Sequence, residues 1–166
     1  MNEKKLNFGC GNQILNGYDN VDIQTDKRLT KSFDFDKFPY PLKENTYDHI
    51  LMRMVIEHLE KPDKTLYELH RICKPQAIIR IITTFYNNIG MTNDMEHRHY
   101  FSHKTFIEFI RQSTKIHKRN MFKIRRLELK PTFIGNIFPK IIREKVCLFV
   151  GGLIGNLECD LEVIKR

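Results

Sequence analysis

Gly9 and Gly11 flank Cys10 directly after a short strand-like stretch at residues 4–8, and Asp22 lies at the end of a second stretch at residues 18–23. Glycine lets a backbone approach a ligand closely, and a carboxylate accepts hydrogen bonds from a diol such as a ribose. Alone, each feature is ordinary: a two-glycine turn is most often a plain tight turn, and a strand-end aspartate is most often solvated. A second group, Asp94, His97, His99 and His103, is interleaved with Arg98 and Tyr100. It lacks the HExxH or Cys/His spacing of a metal centre, so no metal is expected and these residues read as structural or substrate contacts. The four cysteines, Cys10, Cys73, Cys147 and Cys159, form no CxxC pair. Neither a zinc knuckle nor a redox motif is written, and a reducing, cytoplasmic setting is the expectation.

The elements that must position these residues can be read from periodicity. Residues 4–8, 18–23, 29–35, 47–54 and 77–84 are apolar or alternating, bounded by turn residues, and read as strands. Residues 37–45 hold two prolines and read as a loop. Residues 62–73 place Leu66, Leu69, Ile72 and Cys73 at helical spacing behind Pro62-Asp63, and Lys74-Pro75 stops the helix. Residues 103–113 form a second amphipathic helix, with Phe106, Ile107, Phe109 and Ile110 on its apolar side. Residues 122–129 read as a strand, and residues 157–164, alternating apolar and acidic, as a final edge strand. Strand–helix–strand order marks an α/β sheet with parallel members. No repeat or linker divides the 166 residues, so one domain is expected. A 41% hydrophobic composition with twelve Phe excludes a disordered or collagen-like chain. No apolar run approaches the ~18 residues of a bilayer span, and the first residues lack the apolar core of a signal peptide.

In order, the blocks KLNFGCGNQILNGYDNVDI and FDFDKFPYPLKENTYDHILMRMVIEHLEKPDKTLYELHRICKPQAIIRI resemble the class I S-adenosylmethionine-dependent methyltransferases, in particular their small type 11 group. The likeness covers residues 5–84 and includes that family's proline-containing loop, acidic strand, Glu-His-Leu turn, helix and Lys-Pro exit. It implies a Rossmann-like three-layer sandwich, mostly parallel, with an antiparallel C-terminal edge strand. It also implies S-adenosylmethionine as cofactor, a cofactor-binding half at residues 1–97, and an acceptor or lid half at residues 98–166. By this resemblance Phe8, Gly9, Cys10 and Gly11 form the turn beneath the methionine portion, and Asp22 holds the ribose hydroxyls. Ile23 packs beside the adenine, Asp34, with Phe35 beside it, stands near the adenine amino group, and Arg53 and Met54 meet the cofactor at the end of the fourth strand. Glu57 and His58 stand at the mouth as the candidate catalytic pair. Histidine titrates near neutrality and could take a proton from a hydroxyl or amine acceptor; the plainer reading is that the pair caps the following turn. Loops at the carboxyl edge build the acceptor pocket in such sheets, which makes Tyr86, His97, Arg98, His99 and Tyr100 candidate acceptor contacts.

The chain departs from the family at three points. Asn12 stands where a third glycine is usual, Lys74-Pro75-Gln76-Ala77 replaces Lys-Pro-Gly-Gly, and Met54 occupies a position often held by histidine. The connections are also short. Eleven residues separate Phe8 from Asn20, and nine separate Ile23 from Phe33, whereas a parallel crossover takes a dozen or more, usually helical. Both crossover helices should therefore be absent or reduced to about a turn, leaving one face of the sheet thinly covered. Residues 133–155, a second copy of the chain or residues lost from it are the expected covers. Arg80, inside a strand, is either snorkelled at an edge or paired with a buried carboxylate such as Glu68.

Formal net charge is +8, and its distribution is uneven. Residues 1–97 carry 13 Lys and Arg against 14 Asp and Glu, while residues 98–145 carry 13 against 3. Such a block suits an acidic partner or a merely solvated face. Three readings of function stay open: methyl transfer to an anionic small molecule or glycan, a nucleic-acid methyltransferase using the basic block, and a non-catalytic cofactor-binding partner subunit. No base-flipping Asn-Pro-Pro-Tyr follows the fourth strand, where Arg53-Met54-Val55-Ile56 stands instead. Residues 133–156, apolar with Lys140, Arg143 and Lys145 interleaved, read as a lid over the sheet or, less favoured, as a peripheral membrane contact. A homodimer is the remaining partner class.

Overall fold

The computed structural model describes residues 3–165. Its strands are β1 (Lys5–Phe8), β2 (Tyr18–Asp22), β3 (Lys31–Ser32), β4 (Tyr47–Arg53), β5 (Cys73–Thr84), β6 (Phe122–Pro131) and β7 (Ile154–Val163). They form one sheet in the order β3-β2-β1-β4-β5-β7-β6. β1 to β5 pair in parallel, and β7 runs antiparallel to both β5 and β6. The α/β class and the mostly parallel sheet are as expected. The last strand, however, is inserted between β5 and β6, and the edge falls to β6. Alternation along residues 157–164 reports burial on one face only, which an interior strand with one wet face shows equally.

The helices are α1 (Pro62–Ile72), α2 (Ile89–Thr92), α3 (His103–His117) and α4 (Lys140–Val146). Pro62 takes the first helical position of α1, where its missing N–H is not needed. Asp36 caps the approach, its Oδ1 accepting from the Glu60 and Lys61 amides at 3.0 and 3.2 Å. α1 runs into β5 without a loop, because Cys73 is already extended. α3 continues one turn past the expected end and closes at Lys118, whose φ of 53° is left-handed.

Register sorts each strand into an apolar and a polar side. Leu6, Phe8, Ile50, Met52, Ile79, Ile81, Cys159 and Leu161 share one side and are fully buried. The long helices α1 and α3 both cover this side and touch each other, with the Tyr67 ring 5.7 Å from Phe109 and 4.8 Å from His117. The opposite side carries Lys5, His49, Arg80, Asp160, Glu158, Glu162, Lys123 and Arg126. Arg80 donates two hydrogen bonds of 2.9 Å to Asp160, and Arg126 pairs with Glu158. Asp160, not Glu68, is thus the carboxylate that meets Arg80; Glu68 pairs with Arg71 at 2.8 Å.

The first two crossovers are as short as expected. The residues between β1 and β2, and between β2 and β3, form turns and bends with no helix. The face they leave thinly covered is made wettable by charged and ion-paired side chains, as one-sided antiparallel sheets are. Residues 133–150 do not lie on it. They are tied to the carboxyl end of β5, where Tyr86 Oη donates to the Leu148 carbonyl at 2.8 Å. Much of this segment is open to solvent, with Phe133, Ile141 and Phe149 exposed by 87%, 74% and 90%. No helix among the described residues is long and apolar enough to cross a membrane.

Asn20 takes over the task of the missing helices. It is buried, and its amide oxygen accepts from Asn7 Nδ2 and the Leu15 amide, both at 2.9 Å. Its Nδ2 donates to the Leu15 and Tyr18 carbonyls at 3.0 and 3.1 Å. Its backbone N–H meets Thr30 Oγ1 at 3.0 Å, and its carbonyl accepts from the Thr30 amide at 2.8 Å. One residue therefore pins both short crossovers.

Candidate functional site

The carboxyl ends of β1, β2 and β4 converge on the glycine turn. Gly9 and Gly11 both hold positive φ, 70° and 49°. A Cβ on Gly9 would run into the Val55 methyl groups, so this position admits no side chain. The Gly9 and Cys10 amides both donate to the Val21 carbonyl, at 3.0 and 3.1 Å. The Gly11 amide donates to Asp22 Oδ2 at 2.7 Å and the Gln24 amide to Asp22 Oδ1 at 3.1 Å. Asp22 is thereby locked, 8% exposed, with a lone pair left on each oxygen.

A cavity of about 460 Å³ opens beside this turn. Gly9, Gly11, Asp22, Ile23, Asp34, Phe35, Met54, His58 and Arg98 line it, all of them candidates from the sequence. Val55, Leu59, Gln24, Asp36 and Glu96 line it as well. These five were not anticipated, because each reaches the cavity through a turn whose path no periodicity reports. Phe35 stacks on Phe8 with ring centroids 4.0 Å apart. Phe8 itself is fully buried and lines no described cavity, so it supports the floor from beneath. The Asp36 amide at 3.0 Å holds the Asp34 carboxyl below the usual carboxylate range.

A second cavity of about 370 Å³ lies across the turn. It shares Gly9, Gly11 and Met54 with the first and adds Asn7, Cys10, Gln13, Leu51 and Arg53. Leu51 and Arg53 belong to the helix-free face, so this hollow occupies the side from which the first crossover helix is missing. Met54 sits between the cavities at a φ of 52°, a conformation uncommon for a side-chain-bearing residue. Burial, and after it the nearby Asp22 carboxylate, pushes the Cys10 thiol up, so Cys10 packs as a neutral group.

The remaining candidates separate. Glu57 is fully buried; its carbonyl accepts from the Arg98 and His99 amides at 2.8 and 3.2 Å. His97 leans against His58, ring centroids 4.6 Å apart. Arg98 pairs with Glu60 at 2.7 Å. Tyr86 and Tyr100 line a third cavity of about 350 Å³ with Ser102, His103, Lys104 and Leu148. His99 meets Glu57 through its backbone amide and lines no described cavity. Residues 97–101 run between the first and third cavities, and Phe101 bridges to Phe85 at the end of β5.

The chemistry of the first cavity suits a nucleoside. A fixed carboxylate offers lone pairs to a diol, apolar Ile23 and Phe35 flank it, and a second acid, Asp34, faces the same space. A family profile described as a methyltransferase domain matches residues 4–119. A search of curated proteins finds no match. Among solved structures the chain is similar to a SAM-dependent methyltransferase from Archaeoglobus fulgidus, with a TM-score of 0.68 and 14% identity over 96% of this chain and 86% of that one. An S-adenosylmethionine-dependent methyltransferase from Mesorhizobium loti gives 0.64 and 14%, over 96% and 90% of the two chains. A Haloferax volcanii methyltransferase, solved in complex with the Trm112 activator, gives 0.63 and 15%, over 99% and 83%. At such identities the structures speak for the fold, and the profile for the family. With its fold, its glycine turn and the matched profile in agreement, the chain belongs to the methyltransferase-domain family and is an S-adenosylmethionine-dependent methyltransferase.

Proposed function

We propose that the protein transfers a methyl group from S-adenosylmethionine to an anionic small molecule or glycan. The observation that carries this reading is the pairing of cavities at the carboxyl edge. One is built around Asp22, and the other, beyond residues 97–101, combines two tyrosines with His103 and Lys104. In this reading Gly9, Cys10 and Gly11 cradle the methionine portion, and Asp22 holds the ribose hydroxyls. Ile23, Asp34 and Phe35 surround the adenine, and Arg53 and Met54 flank the reacting sulfur. Tyr86 and Tyr100 receive the body of the acceptor, and Lys104 its negative charge. Transfer from a sulfonium is an in-line displacement, so the protein supplies position and electrostatics while the cofactor brings the activated group. Glu57, His58 and His97 stand where the acceptor's proton must leave.

The location of the basic residues argues against a nucleic-acid acceptor. Arg125, Arg126 and Lys130 are ion-paired to Glu162, Glu158 and Glu128. Lys115, Lys118, Arg119 and Lys123 have no ion pair among the described residues, and they sit where α3 ends and β6 begins. Phe122 pairs with Val163 and Thr84 with Asn156, so that end lies opposite the site. The test is transfer of labelled methyl groups into separate pools of anionic metabolites, oligosaccharides and RNA. Label should enter one of the first two, and Lys104→Ala should raise KM for that acceptor with little change in cofactor affinity. Label entering RNA, or entering nothing while the cofactor is bound, overturns the proposal.

A further inference from the structure

Glu57 is fully buried, and neither of its carboxylate oxygens has a hydrogen-bond partner among the described residues. A carboxylate so placed is costly unless a cation or a set of donors meets it. Two imidazoles stand beside it. Glu57, His58 and His97 each offer one ligand atom, and the three lie within 4.8 Å of one another. Nδ1 of His58 is likewise buried without a partner. His97 has the arrangement of a metal ligand already half made. Its Nδ1 lies 3.0 Å from the Met91 carbonyl, which can only accept, so Nδ1 carries the proton and Nε2 keeps a free lone pair. Asp94 Oδ2 stands 3.9 Å from that Nε2, and Asp94 and Glu96 form an overlapping group with His58.

We propose that Glu57, His58 and His97 bind one divalent cation of the zinc class at the mouth of the cofactor cavity. Two imidazoles and one carboxylate are the donor set of a borderline transition-metal ion; magnesium and calcium prefer oxygen alone. Ligand atoms about 2.0–2.2 Å from a tetrahedral ion stand roughly 3.3–3.6 Å apart, so three groups within 4.8 Å of one another close on it with movements of under about 1 Å each. Three protein ligands leave a position open, which is the arrangement of reactive rather than structural sites. His58 and Glu96 line the cofactor cavity, so the open position can be reached from there. Its occupant is a hydroxyl or carboxylate oxygen of the acceptor. A bound cation makes a hydroxyl more acidic; the proton leaves to solvent, the oxygen takes the methyl group, and the sulfonium becomes the neutral thioether. The metal site stands on the residues alone, and its use in holding an acceptor rests on the proposed methyl transfer.

The full chain, stripped with chelator, is titrated with Zn²⁺ by calorimetry and with Co²⁺ by visible absorption. S-adenosylhomocysteine affinity is measured in the same samples, so that a failure of the metal site and a failure of the cofactor reading are told apart. One equivalent of Zn²⁺ should bind, and Co²⁺ should give the bands of a low-symmetry nitrogen and oxygen site. Glu57→Gln and His97→Ala should each weaken Zn²⁺ binding at least about tenfold, and His99→Ala should leave it unchanged. Should Glu57→Gln fail to fold, His58→Ala and His97→Ala carry the comparison. The proposal is overturned if the wild-type chain binds no stoichiometric Zn²⁺, or if folded His58→Ala and His97→Ala bind it as tightly as the parent.

Discussion

Replacing Asp22 should separate cofactor binding from folding. Its two oxygens accept from the Gly11 and Gln24 amides at 2.7 and 3.1 Å and keep one lone pair each toward the cavity. Hydrogen bonds to a charged acceptor contribute about 1.5–3 kcal/mol each. Two ribose hydroxyls on this carboxylate therefore account for roughly 3 kcal/mol or more, a factor of about 100 in Kd. Asp22→Ala removes both and also frees the Gly11 amide, loosening the turn. Asp22→Asn keeps the shape but sets an NH₂ against one of the two backbone donors, so its loss should be intermediate. The assay is calorimetric titration with S-adenosylhomocysteine, alongside circular dichroism and a denaturation midpoint for each variant. An Asp22→Ala chain that keeps its fold and binds within about threefold of the parent would refute the placement of the ribose on Asp22.

Three further predictions concern the scaffold. Asn20→Ala strands the Asn7, Leu15 and Tyr18 groups it now satisfies and should cost about 2–4 kcal/mol in urea unfolding, with cofactor affinity falling in step. Gln76 holds a φ of 67°, a conformation that favours glycine. Gln76→Gly should raise stability by roughly 0.5–1 kcal/mol, relief of left-handed strain outweighing the flexibility gained by the unfolded chain. Arg80, by its hydrogen bonds, holds the Asp160 carboxyl below its usual range. A lowered folded-state value stabilises above the ordinary aspartate range near pH ~4 and is lost as pH falls through the lowered value. Acid unfolding should therefore be shallower in Asp160→Asn, and at neutral pH this variant should lose about 1–3 kcal/mol, less than for a fully buried pair because Arg80 is partly exposed. Equal acid limbs in both chains would remove Asp160 from the account.

Much of this could be read from residue order, and what could not has definite causes. The strands of the first half are apolar runs between turn residues, and the missing crossover helices follow from counting the residues between Phe8 and Asn20. The polar sheet face is also written in the sequence, at Glu158, Asp160 and Glu162 and at Lys123, Arg126 and Glu128, but alternation tells how a strand is buried, not who its neighbours are. Hence β7 reads as an edge and lies inside. Charge misleads for the same reason: Arg125 and Arg126 inflate a local sum that Glu162 and Glu158, more than thirty residues later, cancel in space. Among the residues that line the first cavity, Asp22 and the glycines are legible because they lie at or just past strand ends, where period and turn chemistry agree, whereas Asp34 sits in a turn beyond β3. Phe8 lines no described cavity because its side of β1 faces the aromatic cluster of Phe33, Phe35 and Tyr40. The cluster of Glu57, His58 and His97 escapes a motif search because two of its members are adjacent and the third comes from another loop.

The role of Asn20 also bears on the order in which the chain assembles. Closing a loop costs entropy that grows with its length, about 0.6 kcal/mol for each doubling. With only turns between β1 and β2 and between β2 and β3, these parallel strands meet across short spans, as hairpins do. Contacts of such low sequence separation favour early formation. β1, β2 and β3, with Asn20 at their centre, can therefore gather as a local unit before α1 and α3 bring in the distant β5 and β7. The cofactor turn would then be among the first parts of the molecule to take shape, ahead of the side that receives the acceptor.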